Sequence, residues 1–154
     1  MKLIKGNLRK MSYPVGDEIS RNMPIIKKLG AKIRTVIIRN KIEIKKINIF
    51  CSGSSGAIIA AIISETLIKK FGDVDIRHIK KCGENSHGFE YTTYGMRGFN
   101  IIVDDFIATG ETMKRIFYSI EINTKIDLIA VTGEVNGHMI DFFNIKGVKY
   151  LISE

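Results

Sequence analysis

Two adjacent carboxylates, Asp104 and Asp105, follow a short apolar run and precede a turn of small and hydroxylated residues, 108–112. This turn opens into a helical pattern. Free backbone N–H groups and the dipole at a helix start favour a phosphate, and threonine hydroxyls add further donors. Because the carboxylates would repel that phosphate, they must serve another group nearby, either sugar hydroxyls or a hydrated Mg²⁺. The stretch therefore predicts an anion-binding loop beside an acid pair.

A second loop of similar character lies about 50 residues upstream. The apolar run 47–51 leads into Ser52-Gly53-Ser54-Ser55-Gly56, and a largely apolar helical stretch follows and ends near Phe71. Gly72 is a natural residue to end that helix. This second strand–loop–helix unit also offers a flexible loop that is rich in hydrogen-bond donors.

The elements that must position these loops alternate between strands and helices. We predict a helix at 22–40, with Asn22 as its N-cap and Pro24 in its first turn, and a helix that ends near Ile122. Further strands are predicted at 74–81, 101–103, 126–132 and 148–152, and a short helix ends at Phe143. Such alternation predicts an α/β domain with a mostly parallel sheet and helices on both faces. Ligands bind these sheets at the carboxyl ends of the strands, where the candidate loops fall.

Composition fits one soluble domain of 154 residues. The net charge of +8 is uneven, since residues 1–50 hold 13 lysines and arginines against 3 acidic residues. This basic third could attract nucleic acid or a polyanionic small molecule, or could reflect only a lysine-rich composition.

No apolar run is long enough to cross a membrane, and residues 1–22 lack a signal core, so we expect a cytoplasmic protein. Cys51 and Cys82 are expected to be free thiols.

The stretch 99–112 resembles the phosphoribosyl pyrophosphate (PRPP) motif of the type I phosphoribosyltransferases, with Phe106 standing where a smaller aliphatic residue is usual. The resemblance covers about residues 47–132 and implies a single-domain type I phosphoribosyltransferase fold. It implies that Asp104 and Asp105 hold the ribose hydroxyls and contact Mg²⁺ only through water. The implied 5′-phosphate loop comprises Ala108, Thr109, Gly110, Glu111 and Thr112. The implied pyrophosphate loop comprises Ser52, Gly53, Ser54, Ser55 and Gly56.

The same resemblance gives meaning to the polar segment 82–94. Lys80 and Lys81 stand where orotate-type members carry Arg-Lys, and His87 lies near the position of a His-Gly pair in a closing loop. The loop lysine of those members is missing, with Glu84 near its place. The two lysines could neutralise a departing pyrophosphate, although neighbours on a strand face opposite sides. His87 could donate a hydrogen bond or a proton, or could be a solvated loop histidine.

The loop after the strand at 126–132 lies near the nucleobase in this family. Its polar residues are therefore candidates to contact the base, or else belong to a solvated connector; they are Glu134, Asn136 and His138.

The resemblance therefore implies a Mg²⁺-dependent phosphoribosyltransferase that transfers the phosphoribosyl group of PRPP to a nucleobase and releases pyrophosphate. Resemblance to the family implies a homodimer, and residues 1–20 could form a short hood or arm. The alternative is a catalytically weak PRPP-binding regulator of nucleotide metabolism that binds nucleic acid, although we find no helix-turn-helix pattern. A plain nucleotide-binding domain is disfavoured, because both the Gly-x-Gly-x-x-Gly and the Gly-Lys-Ser/Thr fingerprints are missing.

Overall fold

The computed structural model describes residues 16–40, 44–80, 97–121 and 124–153. Lys81, His87 and Cys82 lie outside these ranges. Of the predicted hood or arm, residues 1–15 also lie outside them, whereas residues 16–20 form the start of the first helix.

Five parallel strands form one sheet. The order across the sheet is β2-β1-β3-β4-β5, and every neighbouring pair is parallel. This confirms the predicted α/β class and parallel sheet. The strands are β1 (Ile47–Cys51), β2 (Val74–His78), β3 (Phe99–Asp104), β4 (Leu128–Val131) and β5 (Lys149–Ile152).

Four helices cover the two faces of this sheet, as predicted. They are α1 (Gly16–Arg39), α2 (Gly53–Phe71), α3 (Glu111–Glu121) and α4 (Gly137–Ile145). Side chains of β3 alternate between two hydrophobic clusters, because successive residues of a strand point to opposite faces. Ile101 and Val103 pack in the cluster that contains α1 and α2, whereas Ile102 packs in the cluster that contains α3 and α4. Neither α1, α2, α3 nor α4, as far as the structure describes them, has the length and apolarity to cross a membrane.

The predicted start of α1 is wrong. The helix begins at Gly16 rather than after Asn22, so Pro24 lies inside it instead of in its first turn. An interior proline removes one backbone hydrogen bond and clashes with the preceding turn. The helix continues through this position and carries a buried stripe that packs on the sheet and α2: Ile26, Leu29, Ile33 and Ile37.

The strand ends are set by hydrogen-bonded partners that the sequence pattern does not reveal. β2 ends at His78 rather than at Lys81, because its partner strand ends at Cys51, which pairs with His78. The last contact of this ladder is the bond from the Ile79 N–H to the Cys51 carbonyl, at 2.8 Å. Lys80 therefore follows the strand instead of belonging to it.

A polar pair is buried at the amino end of the sheet, between β1 and β3. The Asn48 amide nitrogen donates to the Asn100 side-chain oxygen at 2.9 Å, and the Asn100 amide nitrogen donates to the Lys125 carbonyl at 2.9 Å. Both asparagines are almost fully buried. Asn100 is the better connected of the two, since the side-chain oxygen of Asn48 has no partner among the described residues.

Candidate functional site

A cleft opens where the direction of the strand order reverses. The chain leaves β1 for β2 on one side and returns to β3 on the other side of β1. The loops that follow β1 and β3 therefore diverge, which leaves a crevice at the carboxyl ends of these strands. The crevice has a volume of about 390 Å³, within the range of small-molecule sites. It is lined by Ser52, Gly53, Ser54, Ser55, Asp104, Asp105, Phe106, Ile107, Ala108, Thr109, Gly110, Thr112 and Met113.

The acid pair lies where β3 ends. Each carboxylate accepts a hydrogen bond from the next backbone N–H: Asp104 from Asp105 at 2.9 Å, and Asp105 from Phe106 at 3.0 Å. The backbone beneath them is also held, because the Thr132 hydroxyl donates to the Asp105 carbonyl at 3.1 Å. Short local bonds of this kind fix the direction of both carboxylates before any ligand arrives.

Cys51 lies beneath the acid pair as the last residue of β1, and it is fully buried. Burial, and secondarily the negative charge of Asp104, raise the pKa of its thiol to about 12. A thiol with this pKa stays protonated at neutral pH and is a poor nucleophile. Cys51 is therefore a free, buried thiol, as predicted, and a packing residue of the site.

The loop between β3 and α3 presents free donors to the cleft. Within the described ranges, the backbone N–H groups of Ala108, Gly110 and Thr112 have no hydrogen-bond acceptor. The helical ladder of α3 begins with the bond from the Lys114 N–H to the Gly110 carbonyl, at 2.8 Å. Unpaired N–H groups at a helix start form an anion-binding site. Glu111 is exposed and does not line the cleft.

Gly110 is required in this loop for two reasons. Its φ of +79° lies in the left-handed region, which residues with a side chain rarely adopt. A Cβ atom at this position would also overlap the sulfur of Met139, a fully buried residue of α4. The loop is therefore packed tightly onto α4.

The loop between β1 and α2 provides an unpaired hydroxyl. Ser52 occupies the N-cap position of α2 with extended backbone, but its side chain makes no capping hydrogen bond. Its hydroxyl oxygen is buried and has no partner among the described residues. A buried polar atom without a partner is costly, and a bound ligand or water would satisfy it. Gly56 does not line the cleft and packs behind it, with 3.4 Å between a Cβ placed there and that of Cys51.

The remaining predicted site residues lie outside the cleft lining. Lys80 is half-buried just beyond β2. Glu134 is exposed. Asn136 caps α4, since its side-chain oxygen accepts from the His138 N–H at 3.3 Å. The His138 ring lies 3.1 Å, measured from Nε2, from the Thr109 carbonyl oxygen. A role in base binding for these residues stays a prediction.

Three apolar residues of the cleft were not predicted as site residues: Phe106, Ile107 and Met113. Ile107 forms an isolated parallel bridge with Val135, which connects the loop after β3 to the loop after β4. The bulk of Phe106 was visible in the sequence as the one unusual position of the motif. The bridge had no such signal, because it joins segments that are distant in sequence.

The charge of the cleft restricts what it can bind. Among the described residues that line it, Asp104 and Asp105 are charged and there is no lysine or arginine. Within the described part of the chain, no group of three or more histidine, cysteine, aspartate or glutamate side chains could hold a metal ion. Two carboxylates fit Mg²⁺, which commonly keeps several waters and is bound through one or two carboxylates plus substrate phosphates.

Comparison with solved structures shows the fold. The purine phosphoribosyltransferase from Pyrococcus horikoshii Ot3 matches with a TM-score of 0.53 and 20% identity, over 72% of this chain and 70% of that one. The orotate phosphoribosyltransferase from Francisella tularensis matches with a TM-score of 0.53 and 15% identity, over 83% and 62%. The hypoxanthine phosphoribosyltransferase of Trypanosoma cruzi matches with a TM-score of 0.56 and 13% identity, over 73% and 66%.

The chain thus has the type I phosphoribosyltransferase fold, as the motif resemblance implied. It spans between 62% and 70% of the length of these three structures. Neither a family model nor a curated protein matches the sequence.

Proposed function

We propose that this protein is a phosphoribosyltransferase that transfers the phosphoribosyl group of PRPP to a nucleobase and releases pyrophosphate. One observation carries the proposal: the acid pair, the free N–H groups after β3 and the unpaired Ser52 hydroxyl all line one cleft. The fold of the structural neighbours, which are phosphoribosyltransferases, supports it.

Each part of the cleft suits a different part of PRPP. The carboxylates of Asp104 and Asp105 accept hydrogen bonds, which fits the two ribose hydroxyls. The N–H groups of residues 108–112 at the start of α3 fit the 5′-phosphate. Ser52, at the start of α2, fits the pyrophosphate group. The protein would act by positioning these groups and by stabilising charge as the bond to pyrophosphate breaks.

Mg²⁺ fits the cleft as a partner of PRPP rather than as a resident ion. The acid pair supplies carboxylate oxygens that would reach the cation through water, since Mg²⁺ commonly keeps several of its waters. PRPP carries several negative charges, and the described lining adds two more. The cation would supply the charge neutralisation that lets these groups share one cleft.

The test is pyrophosphate release from PRPP and Mg²⁺ across a panel of bases: adenine, guanine, hypoxanthine, xanthine, uracil, orotate and nicotinamide. Release with one base would establish the activity and identify the acceptor. Omitting Mg²⁺ should abolish release, because the anionic ligand would then face the carboxylates without a counterion.

The variant Asp105→Asn tests whether PRPP binds at this cleft. Asp105→Asn keeps the oxygen that accepts from the Phe106 N–H, so the fold should survive. Loss of the charge should weaken PRPP binding about 10- to 100-fold, the usual range for a hydrogen bond to a charged group. Asp141→Asn, on exposed α4 surface, is the control for charge alone. Unchanged PRPP affinity in Asp105→Asn would refute the site.

A second candidate function rests on a separate observation. A shallow depression between the last turns of α1 and α2 is lined by Arg34, Arg39 and Lys70, and none of these cations forms an ion pair with the described residues. Such a surface favours a polyanion and suits the PRPP-binding regulator that binds nucleic acid. This function would be favoured if no base of the panel gave pyrophosphate release while the protein still bound PRPP and bound nucleic acid in a salt-dependent way.

A further inference from the structure

The loop after β3 is held along its length by the segment that follows β4. Five hydrogen bonds between 2.9 and 3.2 Å connect residues 104–109 to residues 132–138. Four of them lie between residues 104 and 107. The fifth lies at the tip, where the His138 ring contacts the carbonyl of Thr109. This contact falls within the proposed phosphate loop itself.

The position of His138 is itself fixed. Asn136 caps α4 by accepting a hydrogen bond from the His138 N–H at 3.3 Å. The following residue, Met139, is fully buried against the loop. The ring of His138 is thus presented by a capped and packed helix start, although the residue itself is exposed.

The contact of His138 determines how the next peptide group is oriented. In a trans peptide the C=O of one residue and the N–H of the next point in opposite directions, and there are no cis peptide bonds in the described residues. When the His138 Nε2–H donates to the Thr109 carbonyl, the N–H of Gly110 must point away from His138. That N–H has no acceptor within the described ranges, and Gly110 lines the cleft.

We propose that His138 is a positioning residue, which orients the Thr109–Gly110 peptide so that the Gly110 N–H is available to the 5′-phosphate. The part that concerns the phosphate rests on the proposed function, whereas the orientation of the peptide does not. The proposal also gives His138 a role different from the base contact predicted from its place in the sequence.

Three variants test the contact. His138→Ala removes the ring, and His138→Gln places an amide N–H₂ near the position of Nε2 and should preserve the hydrogen bond. Asp141→Ala is the matched control, an exposed residue on the same helix with no described hydrogen bond. Urea unfolding of each variant checks that the fold is intact.

The first readout needs no ligand. In the ¹⁵N–¹H spectrum of labelled protein, His138→Ala should shift or broaden the Gly110 amide resonance. His138→Gln, which loses the ring but keeps the hydrogen bond, should change it less. An unchanged Gly110 resonance in His138→Ala, or an equal change in both His138 variants, would overturn the proposal.

The second readout is calorimetric binding of ribose 5-phosphate, which carries the 5′-phosphate but no base or pyrophosphate. His138→Ala should bind it roughly 3- to 10-fold more weakly, as expected for one hydrogen bond, and His138→Gln should bind like the wild type. A loss confined to the KM of the base, with ribose 5-phosphate affinity unchanged, would overturn the proposal in favour of a base contact. If the wild type binds neither ribose 5-phosphate nor PRPP, the proposed function fails, while the Gly110 resonance still decides the role of His138 in the loop.

Discussion

Replacement of Gly110 by alanine should show how tightly the loop between β3 and α3 is packed on α4. Two costs are expected. The φ of +79° strains any residue with a Cβ, at about 1–2 kcal/mol. The added methyl group also overlaps Met139, whose Cγ would lie 2.7 Å from it, and such overpacking costs about 1–3 kcal/mol. Gly110→Ala should therefore lower the free energy of unfolding by about 2–5 kcal/mol.

A second glycine separates these two costs. Gly72 has a φ of +83°, and a Cβ there would have nothing within 4 Å. Gly72→Ala should therefore cost only a backbone term, about 1–3 kcal/mol for its own φ and ψ of +83° and −59°. A loss in Gly110→Ala beyond that range would come from the overlap with Met139. Urea unfolding followed by far-ultraviolet circular dichroism suits the measurement, since the chain has no tryptophan.

A double-mutant cycle gives the decisive result. Met139→Ala alone should cost about 2–5 kcal/mol, because it truncates a fully buried side chain. Combined with Gly110→Ala it removes the overlap, so the double variant should be more stable than the sum of the two losses by about 1–3 kcal/mol. Strict additivity of the two losses would refute the close packing of the loop on α4.

Two further predictions concern stability. Burial raises the pKa of Cys51 to about 12, so as pH rises past the ordinary thiol value of 9.0 the unfolded chain loses a proton that the folded chain keeps. The free energy of unfolding should then fall by about 1.4 kcal/mol per pH unit above pH 9. Cys51→Ala should remove this component, so its free energy of unfolding should depend less on pH between pH 8 and 10. An identical pH dependence in the wild type and in Cys51→Ala would contradict the buried thiol. At the other end of the sheet, Asn100→Ala removes the 2.9 Å acceptor of Asn48 and the donor to the Lys125 carbonyl. Asn48 then keeps only its longer bond to the Arg97 carbonyl, at 3.5 Å, and the loss should cost about 2–4 kcal/mol. Asn48→Ala should cost less, because its side-chain oxygen has no partner to lose, and the reverse order in urea unfolding would be evidence against this network.

The parts of the site that could be predicted are those encoded locally. The acid pair and the turn at residues 108–112 are adjacent in sequence, and the alternation of β3 fixes which residues of that strand face each helix layer. The end of β3 and the start of α3 then place the carboxylates and the free N–H groups at one edge of the sheet. Such features need only short-range stereochemistry.

The parts that could not be predicted depend on partners far away in sequence. The bridge between Ile107 and Val135 and the contact of His138 with Thr109 join segments almost 30 residues apart. The end of β2 is fixed by Cys51, its partner in β1, and not by its own residues. Pro24 shows the opposite situation. Its local preference for the first turn of a helix gave the wrong start for α1, because packing of the later apolar stripe maintains the helix around it.

The layout of the cleft favours a ligand with two chemically different ends. The carboxylates stand at a strand end and require hydroxyl donors or a cation, whereas residues 108–112 stand at a helix start and require an anion. A free phosphate satisfies only the second requirement and meets repulsion from the first. A ribose 5-phosphate unit satisfies both, because its hydroxyls and its phosphate lie at opposite ends of one sugar. In the proposed function the acid pair would therefore act as a selectivity element, since it would disfavour simple anions that the neutral donors alone would accept.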